Sequence, residues 1–307
     1  MQLKIKENST TIIRHTIQII AFLTINYIII ELIFPINLIG LDGFIKILPI
    51  LNSPRNPLSG GAGILEYIFY ALATGIFPFL MIALLLLVLL ISNRFFCGWI
   101  CPIGAIEDAC AAIPTKKRKF KTQTHQALLK IKYVFVIIMV IIIVPLGVVH
   151  NTNYVLYSDF KDSIGAFATQ PVGYFSLSEF LFVYFPKIIQ EIFPFKWEYL
   201  GSYVIIGFYF LIIFLSVWYP RFYCRYFCPF AAVASVVTDY SFLKLSRNPV
   251  KCVGRSECGE CERVCPKQIR ILDEPFEFFT GKGECNICLK CKEKCPYKAI
   301  EIKFINF

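Results

Sequence analysis

The chain has 307 residues, of which 57% are hydrophobic and only 17% are charged, and its mean hydropathy is +0.63. Soluble domains contain roughly one quarter charged residues, so this composition excludes an ordinary soluble protein and predicts a chain embedded in lipid. The formal net charge is +10, yet cysteines and basic residues crowd the C-terminal part. No nucleic-acid partner is expected.

Four apolar stretches are long enough to cross roughly 30 Å of hydrocarbon at about 1.5 Å per residue. They cover about residues 11–34, 64–91, 133–149 and 202–218. The second is long enough to tilt or to break near Pro78. The sequence therefore predicts an all-α transmembrane bundle of four spans within residues 1–245.

The distribution of basic residues predicts the orientation of these spans. All but five of the 31 Lys and Arg residues lie before the first span, between the second and third, or after the fourth. Since cytoplasmic loops are enriched in Lys and Arg, both termini are expected in the cytoplasm of a bacterial or archaeal cell, with the chain in its inner membrane. The basic run 116–121 is interpreted as a topology signal, with a docking patch for an acidic partner as the minority alternative.

An offset of 127 residues aligns the chain with itself. The segment FFCGWICPIGA then lies over FYCRYFCPFAA. Each copy follows a pair of predicted spans, so both emerge at the same face, and the halves 11–113 and 133–240 form a parallel repeat. The aligned cysteines are Cys97, Cys101, Cys224 and Cys228.

The two CxxxCP motifs leave several chemistries open. Cysteines four apart share one face of a helix, so the two pairs could clamp an additional cluster or a metal ion, or form a redox-active dithiol. Packing as small apolar residues is less favoured because the motif occurs twice. Cys110 stands apart and is interpreted as structural.

The most specific motif is a run of four cysteines near the C-terminus. Its spacing, C-x2-C-x2-C-x3-C-P, is that of bacterial ferredoxins, in which three thiolates hold one 4Fe–4S cluster and the fourth ligates its neighbour. A zinc site would not require the CxxxCP ending. The run consists of Cys285, Cys288, Cys291 and Cys295.

An earlier run has the same ending but three additional residues between its first two cysteines, which makes Cys252 the least certain ligand. The cross-over rule predicts two ligand sets. The first set is Cys252, Cys258, Cys261 and Cys295. The second set is Cys265, Cys285, Cys288 and Cys291.

Residues 246–307 are therefore predicted to form a small α+β ferredoxin-like domain with two 4Fe–4S clusters. Short alternating segments, 268–272 and 299–304, predict two strands beside the cysteine runs. So short a domain buries too little surface to be stable alone and is expected to fold around its clusters, in a reducing compartment.

The paired CxxxCP motifs followed by two ferredoxin runs resemble the NapH group of membrane ferredoxins over about residues 11–303. The wider group includes NosR/NirI-type proteins and copper-handling oxidase accessory proteins. The resemblance implies a quinol dehydrogenase subunit that oxidises membrane quinol and passes electrons to a respiratory reductase. The widened first cysteine run departs from the pattern.

The expected function is electron transfer between the quinol pool and a protein redox partner, an iron–sulfur or cytochrome subunit. The alternative is a metal reductase, for copper in particular, or an assembly or regulatory factor for another metalloenzyme. The chain has only three Met and three His, which weighs against metal transport. A purely structural anchor would leave eight cluster ligands unexplained.

A quinone site is poorly marked in the sequence. Glu31, Glu66 and His150 fall near the predicted outer ends of spans, where each could accept a quinol proton, although interfacial positions without a role are favoured. Three histidines at different depths cannot supply paired ligands for two haems. A site on the inner side near the CxxxCP motifs is equally compatible.

Overall fold

The computed structural model describes residues 9–27, 63–164, 172–173, 176–181 and 200–304. These residues are mostly helical. The helices are α1 (Ser9–Ile25), α2 (Ile64–Ala73), α3 (Phe79–Ser92), α4 (Phe95–Trp99), α5 (Pro102–Ala112), α6 (Thr122–Leu129), α7 (Ile131–Thr152), α8 (Tyr154–Ile164), α9 (Leu177–Glu179), α10 (Leu200–Trp218), α11 (Phe222–Tyr226), α12 (Pro229–Thr238), α13 (Gly254–Glu257), α14 (Glu260–Arg263) and α15 (Lys290–Glu293).

One helix in the described parts of the chain is long and apolar enough to cross a membrane by itself. It covers Thr122–Thr152 and joins α6 to α7. The other apolar helices of the described residues have 10 to 17 residues. The helical character predicted from the sequence is confirmed, whereas the four-span bundle stays a prediction.

The second predicted span is a helical hairpin. Helix α2 ends at Ala73, and α3 begins at Phe79 with Pro78 as its N-cap residue. Proline has no N–H to donate and interrupts the helix, as predicted. Ile64, at the start of α2, lines the same cavity as Leu85 and Leu89 of α3, so the two helices lie side by side.

The two CxxxCP motifs have the same local structure. Each combines a five-residue helix, α4 or α11, with a longer helix, α5 or α12, that has proline in its first turn. The prediction that both cysteines of a pair share one helix face is wrong. Cys97 lies in α4, but Cys101 is the N-cap of α5 with φ −57° and ψ 123°, because a residue before proline avoids the α conformation.

The C-terminal segment contains an antiparallel sheet of two strands, β1 (Leu243–Arg247) and β2 (Ile300–Phe304), with Arg247 opposite Ile300. The predicted strand 299–304 is confirmed, and the predicted strand 268–272 is wrong. Gln268 has a left-handed φ of +56°, and Ile271–Asp273 form a 3-10 turn. The strand that pairs with β2 is instead β1, and β1 crosses the predicted domain boundary at residue 245.

Buried apolar side chains form two clusters. The larger lies among the helices of the repeat, and the smaller lies in the C-terminal segment. Trp99 of α4 belongs to the smaller cluster. The first CxxxCP motif therefore completes the core of the cysteine-rich segment.

Candidate metal centres

The eight cysteines of the C-terminal segment are divided between two cavities. One cavity is lined by Cys252, Cys258, Cys261 and Cys295. The other is lined by Cys265, Cys285, Cys288 and Cys291. The last cysteine of each run thus lies in the cavity of the other run, in the same two groups that the spacing predicts. We call these the first and the second cavity.

Cys252 lies with its predicted set in spite of the three additional residues. The short helix α13 occupies this insertion and begins at Gly254, and Gly259 follows Cys258 as the N-cap of α14. Gly254 and Gly259 have φ of +83° and +65°, a left-handed conformation that costs glycine little. The two glycines flank the chain between Cys252 and Cys258, and Cys252 lines the first cavity although the spacing is wider.

A third cavity lies between the two halves of the repeat. It is lined by Cys97, Cys101, Cys224 and Cys228. Three basic side chains, Arg94, Arg221 and Lys267, line the same cavity, and all three are at most 3% exposed. Four potential thiolates therefore lie among three buried cations.

The arrangement of the cysteines distinguishes a cluster from a single ion. Within the described ranges, no three His, Cys, Asp or Glu side chains are arranged to hold one metal ion. Each cavity instead has four cysteines among its lining residues. A zinc ion needs its ligands at about 2.3 Å from one point, whereas a 4Fe–4S cluster offers an iron at each of four corners. The residues fit the cluster better.

Burial disfavours the thiolate form of several cysteines in the C-terminal cavities when no metal is bound, as Cys285 and Cys261 show. Burial, and then the neighbouring Cys288, raise the pKa of Cys285 to about 12. Burial, and then Glu262, raise the pKa of Cys261 to about 11. Thiolates are the form that binds iron, and a bound cation favours thiolate formation. The donor set therefore fits a cationic iron centre.

The backbone around the second cavity adopts a costly conformation. Ile287 and Leu289 have φ of +47° and +59°, which β-branched and bulky residues rarely adopt. Trp99 Nε1 donates to the carbonyl of Ile287 at 2.8 Å. Both left-handed residues lie between Cys285 and Cys291, and Trp99 of the first repeat half binds the backbone at one of them.

Glu284 connects the cysteine-rich segment to the repeat. Arg94 Nη1 donates to its Oε2 at 3.1 Å and to the carbonyl of Gly283 at 3.0 Å, and Lys132 Nζ pairs with its Oε1. Burial alone would raise the pKa of Glu284, but Arg94, Lys132 and Lys267 lower it to about 2. A buried carboxylate beside Cys285 is thus ionised and held by Arg94 and Lys132.

Arg221, which occupies the position of Arg94 in the second half, has different partners. Its Nε and Nη2 donate to Asp108 Oδ1 and Oδ2 at 3.0 and 2.6 Å, and its Nη1 donates to the carbonyl of Cys97 at 2.9 Å. Arg14 of α1 donates to the same carboxylate at 2.8 Å. Asp108 therefore joins the N-terminal helix and both repeat halves beside the third cavity.

The second CxxxCP motif has its own link to the cysteine-rich segment. Lys267 Nζ donates to the carbonyl of Cys224 at 3.1 Å. Glu107 accepts hydrogen bonds from the backbone N–H groups of Tyr223 and Cys224 at 2.7 and 3.2 Å. The first half of the repeat therefore contacts the second cysteine run through Glu284 and Trp99, and the second half contacts the first run through Lys267.

The acidic residues that connect the elements around the cavities could not be identified from the sequence. Glu107, Asp108 and Glu284 each bind partners more than 90 positions away in the sequence, so no local spacing reveals them. The signal that was present is the repetition of arginine before both motifs, at Arg94 and Arg221. These two residues proved to be buried and to line the third cavity.

Other predicted residues lie elsewhere. Cys110 is half-buried and lines none of the three cavities. Glu66 is 3% exposed and accepts a hydrogen bond from Val172 N at 3.0 Å. Glu66 belongs to α2, two residues after Ile64, and its position at the outer end of a span stays a prediction. His150 packs edge-on against Tyr157, and Glu31 lies outside the described residues.

Comparison with known proteins supports an iron–sulfur assignment. Residues 74–121 and 201–248 each match the 4Fe-4S binding domain family Fer4_5. The two segments are offset by 127 residues and each contains one CxxxCP motif, which confirms the internal repeat. No solved structure matches the chain significantly.

The chain is 28% identical over 233 residues to the putative electron transport protein YccM of Escherichia coli, covering 74% of this chain and 57% of YccM. It is 25% identical to protein NirI of Paracoccus denitrificans over 64% of this chain and 24% of NirI. It is 22% identical to the regulatory protein NosR of Stutzerimonas stutzeri over 68% of this chain and 25% of NosR. The chain thus spans little more than half of YccM and about a quarter of the other two. The chain therefore contains two segments that match a 4Fe-4S binding domain and is similar to the putative electron transport protein YccM, to NirI and to the regulatory protein NosR.

Proposed function

We propose that the chain is a membrane-bound iron–sulfur protein that carries electrons from membrane quinol to a protein redox partner. Each of the three cavities would hold a 4Fe–4S cluster on its four cysteines. The observation that carries the proposal is that neighbouring residues of one cysteine run line all three cavities. Cys261 lines the first cavity, Cys265 and Pro266 line the second, and Lys267 lines the third.

A chain of adjacent centres suits the chemistry of quinol. Oxidation of quinol to quinone releases two electrons and two protons, and a 4Fe–4S cluster, when bound, exchanges one electron at a time. The protein's own residues hold the cysteines and exclude water from them. Cys101, Cys224 and Cys228 are buried, and Arg94, Arg221 and Lys267 supply positive charge beside them.

Membrane insertion is supported by an exposed apolar surface. Helices of globular proteins place such side chains inside, whereas these helices expose them, as expected where lipid is the solvent. The exposed side chains on α1, α3, α7 and α10 include Ile19, Ile20, Leu80, Leu87, Ile137, Ile141, Leu211 and Phe214. Together with the charge distribution, this surface favours a multi-pass protein of the inner membrane with both termini and the cysteine cavities on the cytoplasmic side.

The test is to count iron and sulfide in anaerobically purified protein and to record EPR spectra before and after addition of a reduced naphthoquinone. We expect about twelve irons per chain if all three cavities are filled, and about eight if only the C-terminal pair is filled. Cluster signals that appear on quinol addition would support the proposed direction of electron flow.

A set of serine variants assigns the third cavity. Cys97→Ser should lower the iron content by about four, whereas Cys110→Ser, which lies outside the cavities, should leave it unchanged. Clusters that remain oxidised with quinol but respond to a soluble low-potential donor would reject quinol as the electron source. That result would favour reduction or maturation of a metal centre in another protein.

A further inference from the structure

Strand β1 contributes one side chain to each cavity of the cysteine-rich segment. Leu245 lines the second cavity, and Arg247, two positions later, lines the first. Residues two apart in a strand share one face, so a single face of β1 borders both cavities. Apart from the cysteines, the described residues that line the second cavity are uncharged, whereas the first cavity has a buried cation in Arg247, which is 4% exposed.

The guanidinium of Arg247 is fixed beside Cys252. Its Nη1 donates to Cys252 Sγ at 3.9 Å, a long hydrogen bond to sulfur. Its Nη2 donates to the carbonyls of Leu272 and Glu274 at 3.4 and 2.9 Å, and its Cζ lies 4.1 Å from the ring centre of Phe276. These contacts hold the cation against the first cysteine of the widened run.

Arg247 pairs with no carboxylate in the part of the chain that the structure describes. Glu260, an acidic residue that lines the same cavity, pairs instead with Arg263 at the surface. Arg94 and Arg221 are buried as deeply beside the third cavity, but each forms an ion pair. Arg247 is thus a buried positive charge whose hydrogen-bond acceptors are two carbonyls and one cysteine sulfur.

A buried cation is costly unless an anion lies beside it. Four thiolates around one 4Fe–4S cluster give an anionic centre, and a thiolate accepts a stronger hydrogen bond from a guanidinium than a neutral thiol does. The first cavity, with its centre bound, supplies the negative charge that Arg247 lacks. Cys252 Sγ is the atom of the ligand set that lies within reach of its Nη1.

We propose that Arg247 is a positioning residue of the first cavity, which holds Cys252 as a thiolate ligand and raises the reduction potential of the cluster bound there. Reduction adds one electron, and hence one negative charge, and no bond is made or broken. A cationic donor at the sulfur stabilises the reduced form more than the oxidised form, since net charge and hydrogen bonds to sulfur both set such potentials. This role rests on the proposed iron–sulfur function but not on quinol as the electron source.

Redox titration of the holoprotein with dithionite, followed by EPR, measures this potential. The signal of the first cavity is the one that Cys261→Ser removes. We expect Arg247→Gln to lower the equilibrium constant for reduction of this centre by about tenfold or more, which is about 59 mV for one electron. Arg247→Lys keeps the charge without the guanidinium fork and should lie between the two. Arg255→Gln is the matched control, because this exposed arginine of the same run pairs with Glu262 and Asp273.

A measurement on the wild-type protein decides the case in which Arg247→Gln fails to bind the first cluster. The protein is produced with arginine that carries nitrogen-15 in its guanidinium, and the reduced first centre is studied by pulsed EPR. A nitrogen coupling that is present in the wild type and in Arg255→Gln would support donation by Arg247. Absence of this coupling from the wild type would overturn it.

The outcomes separate the role of Arg247 from the proposed function. An unaltered potential in Arg247→Gln with full iron content would overturn the role and leave the proposed function intact. A lowered potential in a protein that quinol never reduces would reject quinol as the electron source and keep the role. Zinc in place of iron at the four cysteines of the first cavity would overturn the role.

Discussion

Lys267 Nζ donates to the backbone carbonyl of Cys224 at 3.1 Å, and this lysine is only 3% exposed. The contact joins the residue after Cys265–Pro266 to the second CxxxCP motif. It places a buried cation between the second and third cavities. A charge in that position influences any anionic centre bound at either side.

Lys267→Met should lower the reduction potential of the centre in the third cavity, because reduction adds negative charge that the lysine stabilises. If the reduced centre loses about 1.4 kcal/mol of electrostatic stabilisation, its potential falls by about 59 mV for one electron. An EPR-monitored redox titration measures this potential. Lys303→Met removes an exposed lysine from β2 and should change nothing. An unaltered potential in Lys267→Met with full iron content would contradict this role.

The cross-over of the two cysteine runs predicts which variants resemble each other. Cys295→Ser should lose the same EPR signal as Cys261→Ser, although the two residues belong to different runs, because both line the first cavity. Cys265→Ser should match Cys288→Ser for the same reason at the second cavity. If Cys295→Ser instead matched Cys288→Ser, the cavities would not be the ligand sets.

The grouping of the eight C-terminal cysteines around two cavities could be predicted because the spacing of ferredoxin cysteines is visible in the local sequence. The hairpin could be placed only approximately, since an apolar run looks the same in one tilted helix and in two antiparallel ones. Pro78 marked the break, but nothing local indicated that Ile64 lies beside Leu89. The partners of Asp108 were hidden because Arg221 lies 113 positions away. Charge pairs between repeat halves leave no periodic signal.

Asp108→Asn should destabilise the holoprotein. The carboxylate is the shared partner of Arg14 and Arg221, both of which are fully buried. Removing one member of a buried ion pair costs about 3–5 kcal/mol, because the remaining charge has no compensation. Thermal unfolding in detergent should show a lower midpoint, while Glu301→Gln, exposed on β2, should unfold like the wild type. A midpoint in Asp108→Asn within error of wild type would show that other groups hold the two arginines.

Gly98→Ala should separate the first CxxxCP motif from the second cysteine run. A Cβ on Gly98 would lie 2.2 Å from the carbonyl oxygen of Asn286, a backbone atom that cannot rotate away. Overpacking of this kind costs about 1–3 kcal/mol, and here it acts on the loop between Cys285 and Cys288. We expect faster loss of iron from the second cavity when a chelator is added.

Gly207→Ala is the matched control, because a Cβ there meets nothing within 4 Å. The repeat itself gives a second comparison. Arg225 occupies the position of Gly98 in the other half and contacts Gln268 and His125 through its long side chain. The small residue is therefore required by the close approach of Asn286 and not by the fold of the motif. Equal rates of iron loss from Gly98→Ala and Gly207→Ala would show that the two segments can move apart without disturbing the second cavity.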